Sequence, residues 1–600
     1  MGFFSNIDLE AYDRQYSDRE LALGMAAYFK PHARRIALIA LLLTVIGLSA
    51  AALPILVAHG VNLLETDASA TTIILLALGV LASGVIVWGA NWWRRRLTAR
   101  TLGDVVLTLR TDAFTAAVEQ DMSFYDTFSS GRIVSRITSD TKDFGDVVTL
   151  ITDILSQLVQ AAILAVVLIS IEWRLALAVF LFLPILFLAA SSLRKLMRRY
   201  TRLGMRAMAT VNANIMESIG GIAVAKNYRQ EATIYHEFDQ ANATSYNVNV
   251  RRGFVLALVF PVLNALGGIG TAILVYLGGL GVVNALISAG AWYLFLSSLD
   301  RFFFPILNLA AFSAQVQAGL SAAERIFALI ESEPSVVQTD DLAPPPLQGD
   351  IQFDNVCFQY TKKEPVLERF DLHIHPGENV ALVGHTGAGK SSIARLIARF
   401  YEFQNGQILV DSQDIRSFDL TAYRSQLGIV SQLPFLFAGT VAENIRYARE
   451  DATDQEILDL ARQIGDGEWL ETLPHGLATE VGERGGRLSM GQRQLVALMR
   501  VLVQDPAIFI LDEATASIDP FTEWQIQQAL NLILARSTSI LIAHRLSTVK
   551  AADRILVLDH GQIIEEGDHD ALLTQGGHYA TLYNTYFRHQ SLAYIEQARR

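Results

Sequence analysis

Six apolar stretches, each long enough to cross a lipid bilayer, fill the first half of this 600-residue chain. They cover about 36–62, 72–93, 147–170, 175–193, 253–279 and 283–311, and a spanning helix needs ~20 mostly apolar residues. Hydrocarbon offers no partner to a backbone N–H or C=O, so each stretch must pair its own peptide groups as a helix. That constraint makes the first half a helical membrane domain. It also accounts for a hydrophobic content of 51% and a mean hydropathy of +0.31, beyond an ordinary soluble chain. The first stretch is not a signal peptide, being too long, beginning only after 35 residues and lacking a small-residue cleavage pattern.

The positive charges orient the bundle. Arg94, Arg95, Arg96, Arg100, Arg110, Arg132, Arg136 and Lys142 lie between the second and third stretches. Arg194, Lys195, Arg198, Arg199, Arg202, Arg206, Lys226, Arg229, Arg251 and Arg252 lie between the fourth and fifth. The short connections hold only Arg174. Basic loops stay in the cytoplasm, which puts both termini and both long loops on that side of the inner membrane. Once these flanking cations are set aside no basic stripe remains, and a net charge of −12 argues against nucleic acid as a partner. The lone Cys357 excludes an intrachain disulfide and suits a reducing compartment.

Both long loops are about 50–60 residues and keep a helical pattern, as in Leu102, Val105, Val106, Leu109 and Phe114. Membrane helices that run on beyond the bilayer would give this. A turn signal breaks each one, at Asp126–Gly131 and at Ser218–Gly221. Glu333-Pro334 through Asp340-Asp341 and Pro344-Pro345-Pro346 reads as a polar linker that packs poorly.

Beyond the linker lies a phosphate-binding loop, Gly384-His385-Thr386-Gly387-Ala388-Gly389-Lys390-Ser391, with Ser392 next to it. Its glycines let successive N–H groups turn inward at a helix N-terminus and cradle phosphate oxygens. Lys390 supplies a charge for the outer phosphates, and the Ser391 hydroxyl can ligate Mg²⁺. Alone this loop says only that nucleotide binds. The apolar strand Val380-Ala381-Leu382-Val383 feeds it, and a second, Ala507–Leu511, ends in Asp512 and Glu513. Ligand sites of α/β sheets lie at that carboxyl edge. Asp512 is placed to hold Mg²⁺ through water and Glu513 to polarise an attacking water as general base. Ile540–Ala543 repeats the pattern and delivers His544.

With Leu488-Ser489-Met490-Gly491-Gln492 the set resembles the ATP-binding cassette (ABC) family, and the layout resembles its six-span exporters with long intracellular extensions. The expected fold is therefore a membrane α-helical domain over 1–330, a linker over 331–347, an α/β P-loop cassette over 348–590 and a tail over 591–600. The resemblance implies ATP and Mg²⁺ as ligands, with His544 near the γ-phosphate and Glu513 and His544 catalytic. It implies that Gln432 touches Mg²⁺, that Tyr360 stacks on adenine, and that Ser489, Gly491 and Gln492 contact nucleotide. Asp519 would cross to a partner cassette. Glu20–His32 resembles the amphipathic elbow at the membrane surface, and Met122–Thr127 and Ala223–Gln230 resemble coupling helices.

A chain with one cassette is half of a transporter, because the family closes the loop of one cassette on the signature of another. Met490 stands where that signature usually has glycine. Together with an intact Glu513 and His544, this fits one member of a heterodimer, and a homodimer that tolerates Met490 stays open. The exporter resemblance implies ATP-driven export of a hydrophobic or amphipathic substrate across the cytoplasmic membrane. Import on the exporter framework, as in siderophore uptake, and a regulatory membrane ATPase stay open beside it. Asp300 and Arg301 lie within the sixth stretch, where charge is costly; a cavity contact and a pairing with another helix are both open.

Overall fold

Ser17 opens α1 (Asp18–Phe29) with a reciprocal cap: its hydroxyl accepts from the Glu20 N–H, and its own N–H donates to the Glu20 carboxylate. Such a box pairs two groups that a helix start leaves unsatisfied. A 3₁₀ turn over Lys30–His32 follows, so the segment expected to form the elbow is helical. The computed structural model describes residues 16–64, 69–361, 364–512, 518–543 and 545–587. It divides into two units, Met1–Val118 with Ser130–Ser332 and Glu119–Ser129 with Glu333–Arg600.

The first unit is helical. After α1 come α2 (Ala33–Leu64) and α3 (Ala70–Val118). The short α4 (Met122–Thr127) belongs to the second unit, and α5 (Ser130–Ser135) returns the chain to the first. A π turn over Arg136–Asp140 leads into α6 (Thr141–Ile171), then α7 (Trp173–Gly220), α8 (Ile222–Tyr228), α9 (Glu231–Val283) and α10 (Ala289–Ile330). The 53 residues of α9 reach about 80 Å at ~1.5 Å each, far past a ~30 Å hydrocarbon core. The excess is the helical continuation beyond the bilayer expected from the long basic loops. Met122–Thr127 is a separate helix as expected, and α8 falls within two residues of its expected limits.

One boundary differs. The sixth apolar stretch was read as starting at 283, but Val283 ends α9 and α10 begins only at Ala289. The connection expected just after residue 279 lies instead at 284–288, where Asn284 and Ser288 stand. The turn is fixed by specific contacts: the Ser288 hydroxyl accepts from the Ala291 N–H, and the Trp292 indole donates to the Leu274 carbonyl. Just beyond, α10 crosses α2 at Gly290, whose N–H donates to Asn62 Oδ1. A Cβ on Gly290 would lie 2.0 Å from the Ala58 carbonyl oxygen, a contact only glycine allows and typical of close helix crossings in lipid.

Prolines 54, 184, 261 and 305 sit inside four of these helices. Pro54 carries no N–H, so the Ala50 carbonyl four residues earlier loses its helical donor. Arg301 on α10 replaces it, with Nη1 2.9 Å from that oxygen. Of the two readings left open for Arg301, pairing with another helix is therefore present. It also lines a cavity with Gln157, Gln160 and Pro305. The side chain of Asp300 lies outside what is described. Nearer the end of α10, Arg325 forks onto Asp140, at 2.7 and 2.9 Å.

In the second unit β1 (Ile351–Thr361) and β2 (Glu364–Ile374) form a hairpin, and β3 (Asn379–Gly384) runs into the glycine loop. Then come β4 (Asn405–Val410), β5 (Gln413–Asp414), β6 (Leu427–Val430), β7 (Ile508–Asp512), β8 (Thr538–Ile542), β9 (Arg554–Asp559) and β10 (Gln562–Gly567). They build an antiparallel sheet ordered β2-β1-β4-β5 and a six-stranded sheet ordered β10-β9-β3-β8-β7-β6. All pairs in the larger sheet are parallel except β9 with β10. The helix Lys390–Ile397 buries Ile393, Leu396 and Ile397 in the core shared by the two sheets.

The linker does not hang free. Thr339 and Leu342 donate to the carbonyls of Arg416 and Ser417, the Asp419 N–H returns to Leu342, and Leu347 is buried. Backbone pairing needs no apolar side chain, which is why a polar, proline-rich composition misrepresents this segment. The residues around α4 join the same unit. Asp121 Oδ2 accepts from the Ser335 and Val336 N–H groups, and Asp126 accepts from the Tyr401 hydroxyl. Burial pushes the Asp121 carboxyl up, yet donors from Ser123, Val336, Ser335 and Phe124 outweigh it and leave the group below its ordinary value.

Candidate nucleotide-binding site

The loop after β3 is built for close approach. Gly384 sits at φ +153°, and a Cβ there would lie 2.3 Å from the Leu558 carbonyl oxygen. The turn runs through His385, Thr386, Gly387 and Ala388, and Gly389, at φ +100°, becomes the N-cap of the helix Lys390–Ile397. The N–H groups of that first turn have no helical acceptor and, with the helix dipole, favour an anion. Lys390 is nearly buried, and its Nζ donates to the Gly384 and His385 carbonyls at 2.7 and 2.8 Å. Burial lowers the pKa of this ammonium, while nearby Asp512 pulls the other way.

Sheet order explains how Asp512 comes near. It pairs across β8 with Ile542, and Ile542 pairs in turn with Leu382 of β3. The loop's strand and the carboxylate's strand are thus two positions apart, with their carboxyl ends on one edge. The glycine loop, Lys390 and Asp512 are thus brought to one edge of the sheet, and Ser391 follows Lys390 in the first turn of the helix. Glu513 and His544 follow β7 and β8 on this edge in sequence, but both lie outside the described residues.

Tyr360 stands beside the loop's helix. Its hydroxyl is 2.9 Å from Ser392 Oγ and accepts from Arg395 at 3.2 Å, and its ring meets Tyr401 edge-on at 5.0 Å. The ring is 41% exposed, leaving surface for stacking. Gln432 lies exposed in the loop beyond β6. Arg395 and Tyr401 escaped the sequence reading. The i, i+5 offset of Arg395 from Lys390 was visible, but nothing in sequence joins Tyr401 to Asp126.

The signature residues do local work. Ser489 caps the helix Met490–Gln504 in a reciprocal box with Gln492, whose side-chain amide also donates to Thr472. This fixes the start of that helix. A Cβ on Gly491 would lie 2.4 Å from Thr522 Cγ2, so glycine is required there by packing within the chain. Asp519 caps the next helix, Pro520–Leu534, by accepting from the Thr522 N–H at 2.9 Å. That bond holds its carboxyl below the ordinary value. Asp519 and Gly491 thus meet through Thr522. Met490 is the helix's first residue and half-buried.

Comparison with known proteins agrees with this geometry. Residues 36–306 match the ABC transporter transmembrane region and residues 367–516 match the ABC transporter cassette. The chain is 37% identical over 563 residues to the uncharacterized ABC transporter ATP-binding protein YknV of Bacillus subtilis (strain 168), covering 93% of each. It is 31% identical over 561 residues to the ATP-dependent lipid A-core flippase of Syntrophus aciditrophicus (strain SB), again covering 93% of each. Among solved structures a bacterial Atm1-family ABC exporter with ATP bound is similar, at a TM-score of 0.76 and 27% identity. That match covers 92% of this chain and 98% of the other.

Proposed function

The chain belongs to the ABC transporter family, with membrane region and cassette fused, and from that premise we propose that it exports an amphipathic, lipid- or drug-like molecule as one half of a heterodimer. It is a multi-pass membrane protein that hydrolyses ATP in exchange for transport. The proposed arrangement has both termini and the cassette in the cytoplasm, as the basic loops favour. ATP would be held by the loop from Gly384 to Ser392, with Mg²⁺ on Ser391, Asp512 and Gln432. Glu513 would take the proton of the attacking water, and His544 would steady the γ-phosphate. A partner cassette would close on this loop through its own signature, while Ser489, Gly491 and Gln492 would serve the partner's site.

The observation that carries the substrate class is an apolar cavity of about 490 Å³, lined by Met25, Phe29, Ile36, Leu43, Ile151 and Leu155 among others. Such walls take a hydrocarbon chain and leave a polar head elsewhere. The lipid named for the Syntrophus relative has that character. Inside-out vesicles carrying the dimer should accumulate a fluorescent phospholipid analogue only with ATP. Equal uptake with a non-hydrolysable analogue would defeat this reading.

Met490 supports the heterodimer, since a side chain stands at a signature position where the family keeps backbone close to phosphate. Expressed alone, the chain should yield few dimers and little turnover. Co-expression with a half-transporter from a neighbouring gene should give stoichiometric complexes and restore activity. A monodisperse dimer of this chain alone, with vigorous substrate-stimulated hydrolysis, would establish the homodimer instead.

A further inference from the structure

The pairing of Arg301 with Ala50 does more than mend a helix. Pro54 leaves the Ala50 carbonyl without its donor, and one nitrogen of the Arg301 guanidinium supplies it at 2.9 Å. A carbonyl, however, needs only a neutral donor. An asparagine or serine would serve, without the cost of holding a full positive charge among membrane helices. Arginine carries five N–H groups in a fixed fork. The bond to Ala50 spends one of them.

The space beside this fork is a cavity of about 330 Å³ bounded by Gln157, Gln160, Leu164, Arg301 and Pro305. Arg301 is the only charged residue among those described as lining it. Gln157 and Gln160 stand on α6, one helical turn apart on the same face, and add neutral amides; Gln160 also donates to Ser156 at 3.3 Å. A cation flanked by amides, set among apolar walls, suits a carboxylate or phosphate attached to a hydrocarbon chain.

We propose that this cavity recognises the anionic head group of the transported amphiphile, with Arg301 as the charge that selects it and Gln157 and Gln160 as supporting donors. The inference rests on the amphiphile-export reading above and narrows it to acidic amphiphiles. The guanidinium holds Ala50 with one nitrogen and the anion with the others, so substrate binds across the junction of α2, α6 and α10.

The test measures ATP hydrolysis by the reconstituted full-length dimer in neutral phosphatidylcholine vesicles. Four probes of equal chain length are titrated: hexadecanoate, hexadecyl phosphate, hexadecanol and hexadecylamine. At least one anion should half-saturate tenfold or more below the alcohol and the amine, and whichever anion responds names the head group. Arg301→Gln should raise that half-saturation at least tenfold, toward the alcohol value, and Arg301→Lys should keep most of the preference. Removing Arg301 also strips Ala50 of its donor, so Pro54→Ala, which restores a backbone N–H four residues on, is added to Arg301→Gln. If the double variant regains the anion preference, Arg301 is only a carbonyl cap and the proposal falls. Stimulation led by the alcohol or amine overturns the proposal and leaves amphiphile export standing. Silence with all four probes overturns export of amphiphiles and the proposal with it.

Discussion

Replacing Glu513 by glutamine is expected to lower ATP turnover ~10²–10⁴-fold, the usual cost of removing a positioned general base, while nucleotide still binds. Glutamine keeps the size of the side chain but cannot take a proton from water. On the proposed site the phosphate contacts would come from elsewhere: the loop from Gly384 to Gly389, the first turn of the helix it caps, and Lys390. Glu513 follows Asp512, whose strand pairs with β8 and through it with β3, so the role assigned to it rests on that sheet edge. The variant should accumulate as a closed, nucleotide-bound dimer. A fall of less than threefold in purified protein would assign the base elsewhere.

Lys390→Ala is expected to damage binding itself. The ammonium is nearly buried at the mouth of the loop, and burial already disfavours its charge. A buried cation that reaches a triphosphate makes hydrogen bonds worth about 1.5–3 kcal/mol each, or about 10- to 150-fold in affinity. The substitution also releases the Gly384 and His385 carbonyls from their shared donor, loosening the cradle. Calorimetry should show ATP affinity weakened by at least tenfold, together with a loss of turnover. Unchanged affinity would remove Lys390 from the phosphate site. The contrast between the two variants separates holding the nucleotide from cleaving it.

Much of this was legible because it is local. A glycine loop between strand and helix, two apolar strands ending in acid or histidine, and apolar runs of bilayer length all sit within short windows of sequence. The capping roles of Ser489 with Gln492 and of Asp519 are local too, though reading the first two for nucleotide contact and the third for a partner cassette passed over them. What stayed hidden depends on distant partners. The place of the turn at 284–288, a few residues past the expected connection, is set by Ser288 and Trp292. The linker's pairing with Arg416 and Ser417 leaves no trace in its composition. Arg301 was visible as a misplaced charge, but its carbonyl partner is 251 residues away.

The short helix α4 has a consequence for how the molecule is made. Asp126, within it, bonds to Tyr401, 275 residues further along the chain. At ~5–20 residues per second, synthesis of that interval takes about 14–55 s. Through all of it α4 has been made while the surface that will hold it does not yet exist. Membrane insertion of the helices on either side keeps the segment tethered during the wait. The cassette, though later in the chain, thus joins a piece of chain made long before it, and a ribosome stalled between residues 332 and 401 would leave a protein with its bundle translated and α4 unclaimed.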